Sequence, residues 1–429
     1  MRKLIFALLF VLLLFLILIA VQFYIPFFNN QKNVYLDYFD MIWQTVKEQH
    51  FDPTFGGLDW DRIRDQYRPL MGKVENDQNF YPLINRMLFR LSLSHLRVIP
   101  PGDWGRLEPE LFAEGSAGID IRFLNNAAVI TSIEPGSPAE EAGLRPSQVI
   151  EKIDGIPIET IAGERLDRLE PPYNKQYSIT NEIQARIYGL PETSLSITCR
   201  EENGGLFEKS IMRKIREGKT PFGDILPPAY IAFEANRQDG DIGYLRFNCF
   251  HPALREKIRN AVASMADAPG LIIDLRGNSG GSRAVVQELA GHFVRETTLL
   301  FSLKTRAGKI DVVLDPVDRP YEGPVVVLLD VMSQSASEYF AAALQAAGRV
   351  VVIGERSSGA VNPMALMPLP NGAIFIYPYA ELETPGGAVI DGHGVEPDIP
   401  VELDRTALSR GRDSQLEAAI HFIKEKTEE

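Results

Sequence analysis

Two short apolar strands, each followed directly by a turn and a helix, constrain the fold of this chain more than any other feature. The first, LIIDLR, precedes the Gly-rich turn RGNSGG and the helical pattern SRAVVQELAGHFV; the second, VVVLLD, precedes SQSASEYFAAALQAAG. Strands that are apolar on both faces are typical of a parallel sheet covered by helices. Together with the strands IGYLRF and VVVIGE and a closing helix, DSQLEAAIHFIKEK, they predict an α/β core over residues 216–429.

Residues Leu4–Val21 form an unbroken apolar run behind Arg2 and Lys3. The run approaches the roughly 20 residues that span a bilayer and exceeds the apolar part of an ordinary secretory signal. No clear A-x-A cleavage site follows it, which favours an uncleaved transmembrane signal anchor at 1–30 over a cleaved signal peptide. The two basic residues favour a cytoplasmic N-terminus. We therefore expect a single-pass membrane protein with the bulk of the chain periplasmic or extracellular.

Composition limits the partners and the number of domains. The 429 residues exceed what one hydrophobic core organises, which predicts several domains. The formal net charge of -13 argues against a nucleic-acid partner, because such a partner favours a basic face. Cys199 and Cys249 lie far apart in sequence and lack the spacing of metal ligands. We predict no metal, no cofactor and no nucleic-acid partner.

Two regions of different character separate the anchor from the core. Residues 31–105 contain the helical patterns LDYFDMIWQTVKEQH and YPLINRMLFRLSLSH and end in the extended run LRVIPP. From 106 to 215 short β-rich runs alternate with turns, in the order EPGSPAEEAGL, VIEKI and DGIPI. This order resembles a PDZ domain, a family that binds peptide C-termini by adding a strand beside a loop. The resemblance places that loop at Gly118 and Ile119; use of the domain only as a structural lid is the alternative.

The serine at the second strand–turn–helix has two interpretations. In S-A-S-E, Ser335 fits a capping box and then only caps the helix. The turn also lies at the open end of a sheet, where α/β folds bind ligands. The Ala336 amide at the helix N-terminus and the amides of Gly280 and Gly281 would stabilise an oxyanion. The glycines of RGNSGG also fit a simple tight turn.

Four ordered motifs, DLRGNSGG, SQSASEYFAAALQAAGR, VVIGE and DGHGVEPDI, resemble the core of the C-terminal processing (tail-specific) serine proteases. The order of helical region, PDZ and protease core also matches, so the resemblance covers nearly everything after the anchor. It implies a crotonase- or ClpP-like αβ spiral for the core, a polypeptide substrate, and Ser335 as nucleophile. The processing branch uses a Ser-Lys dyad with the lysine just after a glycine. Here Ala360 follows Gly359, so the base of that branch is missing.

A histidine supplies a candidate replacement for the lysine. His95 in LSLSHLRV resembles the L-S-x-x-H-x-R segment of the tricorn-core and retinol-binding-protein-3 branch of the same superfamily, and YFDMIWQTVKEQHF with LDWDRI resembles the helical region of that branch. The resemblance implies that His95 is the base and that Ser94 assists it. Histidine titrates near 6.5 when unperturbed, so we expect activity to rise with pH near neutrality.

The acid that orients the base is also implied by this branch, which has a glutamate just before the closing G-V-x-P-D motif. Asp391 stands at that place and is one methylene shorter than glutamate. Glu381 and Glu383 in YAELETP are rivals for the role. A turn residue in the D-G pair is the alternative for Asp391.

Two other functional readings remain open from the sequence. Ser279 in G-N-S-G-G fits the nucleophile elbow of α/β-hydrolases, with His393 as the later histidine. That reading leaves the S-A-S-E motif and the PDZ segment unexplained. The second reading is a catalytically dead, anchored PDZ scaffold that binds peptides, since a serine without an adjacent base is a weak nucleophile.

Overall fold

The computed structural model describes residues 34–167, 174–201 and 204–428. The predicted membrane anchor at 1–30 lies outside the described residues. Within the described ranges, no helix has both the length and the apolar character that a bilayer span requires.

The N-terminal region is helical, as its sequence pattern predicts. Its elements are α1 at 34–49, a 3-10 turn at Phe55–Gly57, α2 at Trp60–Met71, α3 at Asp77–Leu88, a second 3-10 turn at Phe89–Leu91 and β1 at Arg97–Ile99. Side-chain caps begin the helices: Asp59 accepts a hydrogen bond from the amide of Arg62, and Asn76 accepts one from the amide of Asn79. The apolar faces of these helices pack into one buried cluster.

The next region contains an antiparallel sheet in the strand order β3-β4-β5-β7-β8. Its elements are α4 at Trp104–Leu107, α5 at Pro109–Phe112, β2 at Gly115–Ser116, β3 at Ile119–Leu124, β4 at Ala127–Ile133, α6 at Pro138–Glu141, β5 at Val149–Ile153, β6 at Ile156–Pro157, α7 at Ile158–Asp167, α8 at Lys175–Ile187, β7 at Ser194–Arg200, β8 at Leu206–Met212 and β9 at Lys214–Ile215. The short strands β2 and β9 pair with each other, so the two ends of this region meet. Strand β3 is an edge strand of the sheet.

The core is built on a sheet in the order β12-β13-β14-β17-β18-β22, parallel except for β12. The elements after β9 are β10 at Lys219–Thr220, β11 at Ala229–Tyr230, β12 at Phe233–Gln238, β13 at Ile242–Phe247, a 3-10 turn at Pro252–Leu254, α9 at Arg255–Ser264, β14 at Leu271–Asp274, α10 at Arg283–Gly291, β15 at Thr298–Thr305, β16 at Gly308–Leu314, β17 at Val325–Leu329, α11 at Ala336–Ala346, β18 at Val351–Gly354, β19 at Met364–Pro368, β20 at Ile374–Pro378, β21 at Ala380–Glu383, β22 at Ile399–Pro400, α12 at Arg405–Ser409 and α13 at Ser414–Glu428. Strands β14 and β17 are buried along their whole length, as their apolar sequences predict.

A small sheet in the order β1-β20-β19, which we call the bridging sheet, joins the N-terminal region to the core. Strand β1 pairs antiparallel with β20, so Arg97 lies opposite Ile376. One face of the bridging sheet, with Val98 and Phe375, packs into the cluster of the N-terminal helices. Successive side chains of a strand point to opposite faces. Ile376 therefore lies on the other face, which packs against Trp104 and Leu107 of α4.

Candidate active site

Ser335 stands at the turn between β17 and α11 in a strained backbone conformation. Its φ of 51° and ψ of -112° lie outside the regions that a residue with a side chain normally adopts. Its amide donates to the Glu338 carboxylate at 2.8 Å and to the Ala360 carbonyl at 3.0 Å. The capping box predicted from S-A-S-E is present. Strain of this kind persists only where the surroundings enforce it, and it is frequent at functional sites.

Glu338 is the residue that enforces this turn. Its carboxylate is fully buried. Besides the Ser335 amide, it accepts hydrogen bonds from the Ser357 hydroxyl at 2.6 Å and from the amides of Gly359 at 2.6 Å and Ala360 at 2.9 Å. Burial raises the pKa of Glu338 to about 7 in spite of these donors. Glu338 thus fixes the nucleophile turn against the loop that bears the lysine in Ser-Lys enzymes.

The Gly-rich turn after β14 packs directly on Ser335. A Cβ on Gly280 would lie 2.7 Å from the Ser335 Cβ and 2.8 Å from the Ala336 nitrogen, so only glycine fits there. The Gly280 amide donates to the Asn278 side-chain oxygen at 2.8 Å. No hydrogen bond within the described residues takes up the amides of Gly281 or Ala336. The Gly280 amide therefore has a partner inside its own turn, whereas the Gly281 amide has none among the described residues. That one of these glycines donates to an oxyanion stays a prediction, and the geometry favours Gly281.

His95 lies between the last N-terminal helical turn and β1. Like Ser335, it has a positive φ, of 57°. Its Nδ1 lies 3.2 Å from the Asn362 carbonyl oxygen and 3.4 Å from the Ser94 hydroxyl. A carbonyl only accepts hydrogen bonds, so Nδ1 bears the proton and Nε2 is the unprotonated nitrogen. Burial, and then the charge of Arg97, lower the pKa of His95 to about 4. The imidazole is neutral at physiological pH, and its titration lies well below the value near 6.5 expected from the sequence.

Asp391 contacts Ser94, the residue before His95. The Ser94 hydroxyl donates a short hydrogen bond to the Asp391 carboxylate, and the Ser94 amide lies 3.3 Å from its other oxygen. The Val361 amide donates to the same carboxylate at 3.1 Å. Burial raises the pKa of Asp391. The structure brings His95, Ser94 and Asp391 into one chain of contacts.

The rivals named from the sequence have other partners. The Glu381 carboxylate pairs with Lys304 at 3.1 Å, and the Glu383 carboxylate pairs with Lys309 at 2.7 Å. His393 is exposed, and its Nδ1 contacts the backbone carbonyl of Asp391. The two glutamates are thus in salt bridges and the histidine is in a turn. None of the three contacts Ser335.

A cavity of about 240 Å³ brings the candidate residues together. Ser335, His95, Gly280, Gly281 and Ser279 all contribute to its lining. His95 and Ser335, both within the described part of the chain, do not hydrogen-bond each other. Catalytic hydrogen bonds are often long without substrate and tighten when it binds. The cavity lining thus includes a serine, a neutral imidazole and the unbonded amide of Gly281, and the unbonded amide of Ala336 directly follows Ser335 in the chain. These are the kinds of group that acyl transfer needs.

The predicted peptide-binding loop lies at the start of the edge strand β3. The Gly118 amide donates to the Ser116 hydroxyl at 2.9 Å, and Ile119 begins the strand. Farther along, the Phe123 amide donates to the Thr180 hydroxyl of α8 at 3.2 Å. The edge that would receive a peptide is therefore partly satisfied by the side chains of the domain itself. A peptide added beside β3 has to displace Thr180.

Two asparagines hold the site and were not predicted from the sequence. Asn278 is fully buried, and its side-chain oxygen accepts from the Gly280 amide and from the Ser337 hydroxyl, both at 2.8 Å. Its position inside a Gly-rich turn is the signal for such a bond, because asparagine side chains often bond the backbone two residues on. Asn362 acts through its backbone carbonyl, which leaves no signal in the residue type.

Family models match three parts of the chain. Residues 241–401 match peptidase family S41, residues 33–89 match the tricorn protease C1 domain, and residues 129–166 match a PDZ domain. Along the chain the three matches follow the order of helical region, β-rich region and core seen in the structure. They confirm the resemblance to the C-terminal processing superfamily and to PDZ domains.

Whole-chain comparisons give the same picture. A carboxyl-terminal-processing protease of Synechocystis sp. is 28% identical over 392 residues, which cover 89% of this chain and 85% of the relative. Tricorn protease homolog 1 of Streptomyces coelicolor is 25% identical over 396 residues, 89% of this chain and 34% of that protein. The structure of the photosystem II D1 C-terminal processing protease matches with a TM-score of 0.57 at 20% identity, covering 86% of this chain and 95% of that one. The tricorn protease structure matches with a TM-score of 0.51 at 17% identity, covering 93% and 37%.

Proposed function

Because the chain belongs to peptidase family S41 and is a serine-type peptidase with a mixed α/β fold and a PDZ domain, we propose that it is a membrane-anchored endopeptidase that works outside the cytoplasm. Its substrates are polypeptides presented by their C-terminal ends, and its chemistry is acyl transfer by a serine–histidine pair. The catalytically dead scaffold and the Ser279 hydrolase are the alternatives that this proposal displaces.

The observation that supports the proposal most is the shared cavity. Ser335, His95 and Gly281 all line it, the strained turn presents the serine there, and the Ala336 amide directly follows that serine at the start of α11. Asp391 and Ser94 stand behind the imidazole. No lysine is among the described residues that line the cavity. Ala360 thus marks a change of base from lysine to histidine, as in the tricorn-like branch.

In the first half-reaction, the Ser335 Oγ attacks the carbonyl carbon of the scissile peptide while His95 Nε2 removes the hydroxyl proton. The negative oxygen of the tetrahedral intermediate accepts hydrogen bonds from the Ala336 amide at the α11 N-terminus and from the Gly281 amide in the Gly-rich turn after β14. His95 then gives its proton to the leaving nitrogen, the C–N bond breaks, and an ester of Ser335 remains.

In the second half-reaction, a water molecule attacks the ester and His95 Nε2 takes one of its protons. The proton returns to the Ser335 Oγ as the ester C–O bond breaks and the new carboxyl end leaves. Throughout, Asn362 and Ser94 keep the Nδ1 proton in place, and Asp391 keeps Ser94 in place. The imidazole therefore always presents the same nitrogen to the serine.

Cleavage of a matched peptide pair tests the function. Full-length protein in detergent is given one unfolded polypeptide with a free C-terminus and the same polypeptide with a C-terminal amide. We expect the free acid to be cut about tenfold faster, because the amide removes the charge that a PDZ loop recognises. Equal rates contradict presentation by the C-terminus. If neither is cut, and a fluorophosphonate probe fails to label Ser335, the scaffold alternative is correct.

The location has its own measurement. With the apolar run Leu4–Val21 as an uncleaved anchor, protease added to spheroplasts should digest the PDZ region, while inverted vesicles should protect it. The opposite pattern, or a mature N-terminus beyond the run, contradicts the anchored topology.

A further inference from the structure

The two outer edges of the bridging sheet, at β1 and β19, have no partner strand in the described part of the chain. At the β1 edge the Asn85 side chain bonds the amide and carbonyl of Val98, so the β19 edge is the open one. Within the sheet, β19 pairs with β20 alone. At the two ends of the ladder, the Leu369 amide donates to the Ala373 carbonyl and the Tyr379 amide donates to the Pro363 carbonyl. In an antiparallel pair, alternate residues of a strand point their backbone groups at the partner. Residues 363, 365, 367 and 369 thus face β20, and the backbone groups of Met364 and Leu366 point outward.

This open edge is continuous with the catalytic site. Strand β19 begins two residues after Asn362, whose carbonyl holds His95. Met364 lines the same cavity as Ser335 and His95. No hydrogen bond within the described residues takes up the outward amides or carbonyls of Met364 and Leu366. Pro368, the next outward residue, has no amide to offer, so the free edge ends there.

The cavity beside this edge is walled by apolar side chains that the acyl-transfer chemistry does not use. They are Trp104, Leu107, Leu111, Phe112, Phe222, Leu226, Met364 and Ile376. Glu108 and Arg97 are the oppositely charged groups in the lining. Burial raises the pKa of Glu108 to about 7. A charged substrate side chain would lose its hydration in this cavity, whereas an apolar side chain would leave water for a matching surface.

We propose that the polypeptide around the scissile bond lies extended along the outer edge of β19, with Met364 and Leu366, and inserts one large apolar side chain, of the leucine, methionine or phenylalanine class, into this cavity. The proposal rests on the proposed function, since it names the substrate segment that Ser335 attacks. Backbone hydrogen bonds to the strand edge fix the register, and the cavity selects the residue whose carbonyl reaches Ser335.

Peptides that differ only in the residue before the scissile bond test the cavity. The full-length enzyme is given leucine, phenylalanine, alanine, lysine and glutamate versions of one peptide. We expect kcat/KM for leucine and phenylalanine to exceed alanine by roughly 10- to 100-fold, because even one methylene more in an apolar pocket typically changes kcat/KM by about tenfold or more. Lysine and glutamate are expected below alanine.

Two outcomes separate this inference from the proposed function. If Ser335-dependent cleavage occurs with equal rates across the series, or with a preference for lysine or glutamate, the apolar pocket is wrong and the peptidase assignment stands. If no peptide of the series is cut, the proposed function fails and this inference fails with it.

Ester-for-amide replacements along the preferred peptide test the strand edge. Each ester removes one substrate N–H, and only every second residue of a paired strand directs its N–H at the neighbour. We therefore expect losses of about tenfold in kcat/KM at alternating positions on one side of the scissile bond. A uniform response, or none, overturns the pairing with β19.

The protein side of the same contact is probed at Leu366. Leu366→Pro removes an outward amide and no bond to β20, and proline at the neighbouring outward position 368 shows that the edge accepts it. The matched variant Leu366→Ala keeps the amide, so the further loss in Leu366→Pro measures the backbone contact alone. We expect that further loss to be about tenfold in kcat/KM. Equal activity of the two variants contradicts the proposal.

Discussion

The two halves of the candidate site are assembled in different ways. The nucleophile half is local: Ser335 is held by Glu338, three residues on in the same helix, and by the neighbouring loop. The base half is long-range: His95 and Asn362 are 267 positions apart, and Ser94 and Asp391 are 297 positions apart. Backbone pairing of β1 with β20 is what joins them.

The two halves therefore differ in how far the sequence alone predicts them. A strand–turn–helix with a capping box forms from a short stretch of sequence, so its serine is visible before the fold is known. The base depends on a contact between distant segments, which no local pattern encodes. Variants that change one half of the site and leave the other intact therefore test whether the two halves have the roles assigned to them.

The largest effect is expected when either half loses its reactive group. Ser335→Ala and His95→Ala should each lower kcat by about ten-thousandfold, and the double variant should be hardly worse, because residues that act as one unit are not additive. The measurement is the steady-state rate on a cleaved peptide, with the folded state checked by circular dichroism.

Ser279→Ala is the matched control, since Ser279 lines the same cavity and undergoes the same change. We expect it to keep measurable turnover. Near-normal activity of folded His95→Ala would mean that the base half has been misidentified, and His393 would be the next variant.

A smaller effect is expected one contact farther from the reaction. Asp391→Asn and Ser94→Ala should lower kcat by about 10- to 100-fold with little change in KM, because they orient the base and do not touch the substrate. Glu381→Gln, which alters the rival acid paired with Lys304, is the matched control and should stay near the parent rate. A stronger loss in Glu381→Gln than in Asp391→Asn would show that the acid has been misassigned.

The smallest effect is a displacement of the pH profile. The pKa of His95 is lowered to about 4, first by burial and then by Arg97. Below this pKa the imidazole is protonated and cannot take the serine proton, so kcat/KM should rise with pH through a limb near 4 and not near 6.5. Arg97→Gln removes the nearby charge and should move the limb upward. Rate measurements across the acid range check both, and a limb near neutrality in the parent enzyme would contradict the buried, neutral base.

Much of the fold was predictable because its signals are local. The apolar strands β14 and β17, the turn-bounded PDZ segment and the amphipathic N-terminal helices all follow from short-range pattern. Asp391 was chosen from its place before the closing motif, and the structure puts it against Ser94. It stays a prediction until the variants are measured.

The rest was not predictable for physical reasons. The β15–β16 hairpin has mixed exposure along its strands, so its pattern gives no clear period. The choice of Gly281 over Gly280 as oxyanion donor depends on one hydrogen bond, from the Gly280 amide to Asn278. The low pKa of His95 depends on burial by segments distant in sequence. Each of these properties arises only from tertiary contacts in the folded chain.

The pairing of β1 with β20 also sets the order of events during biosynthesis. His95 leaves the ribosome early, but its holding groups at Asn362 and Asp391 are among the last segments made. A chain still on the ribosome thus has a histidine without its carbonyl partner until residue 362 has been made. By the proposed mechanism, proteolytic competence arrives only after residues 362 and 391 have joined the fold, so an incomplete chain cannot act as a protease on its surroundings.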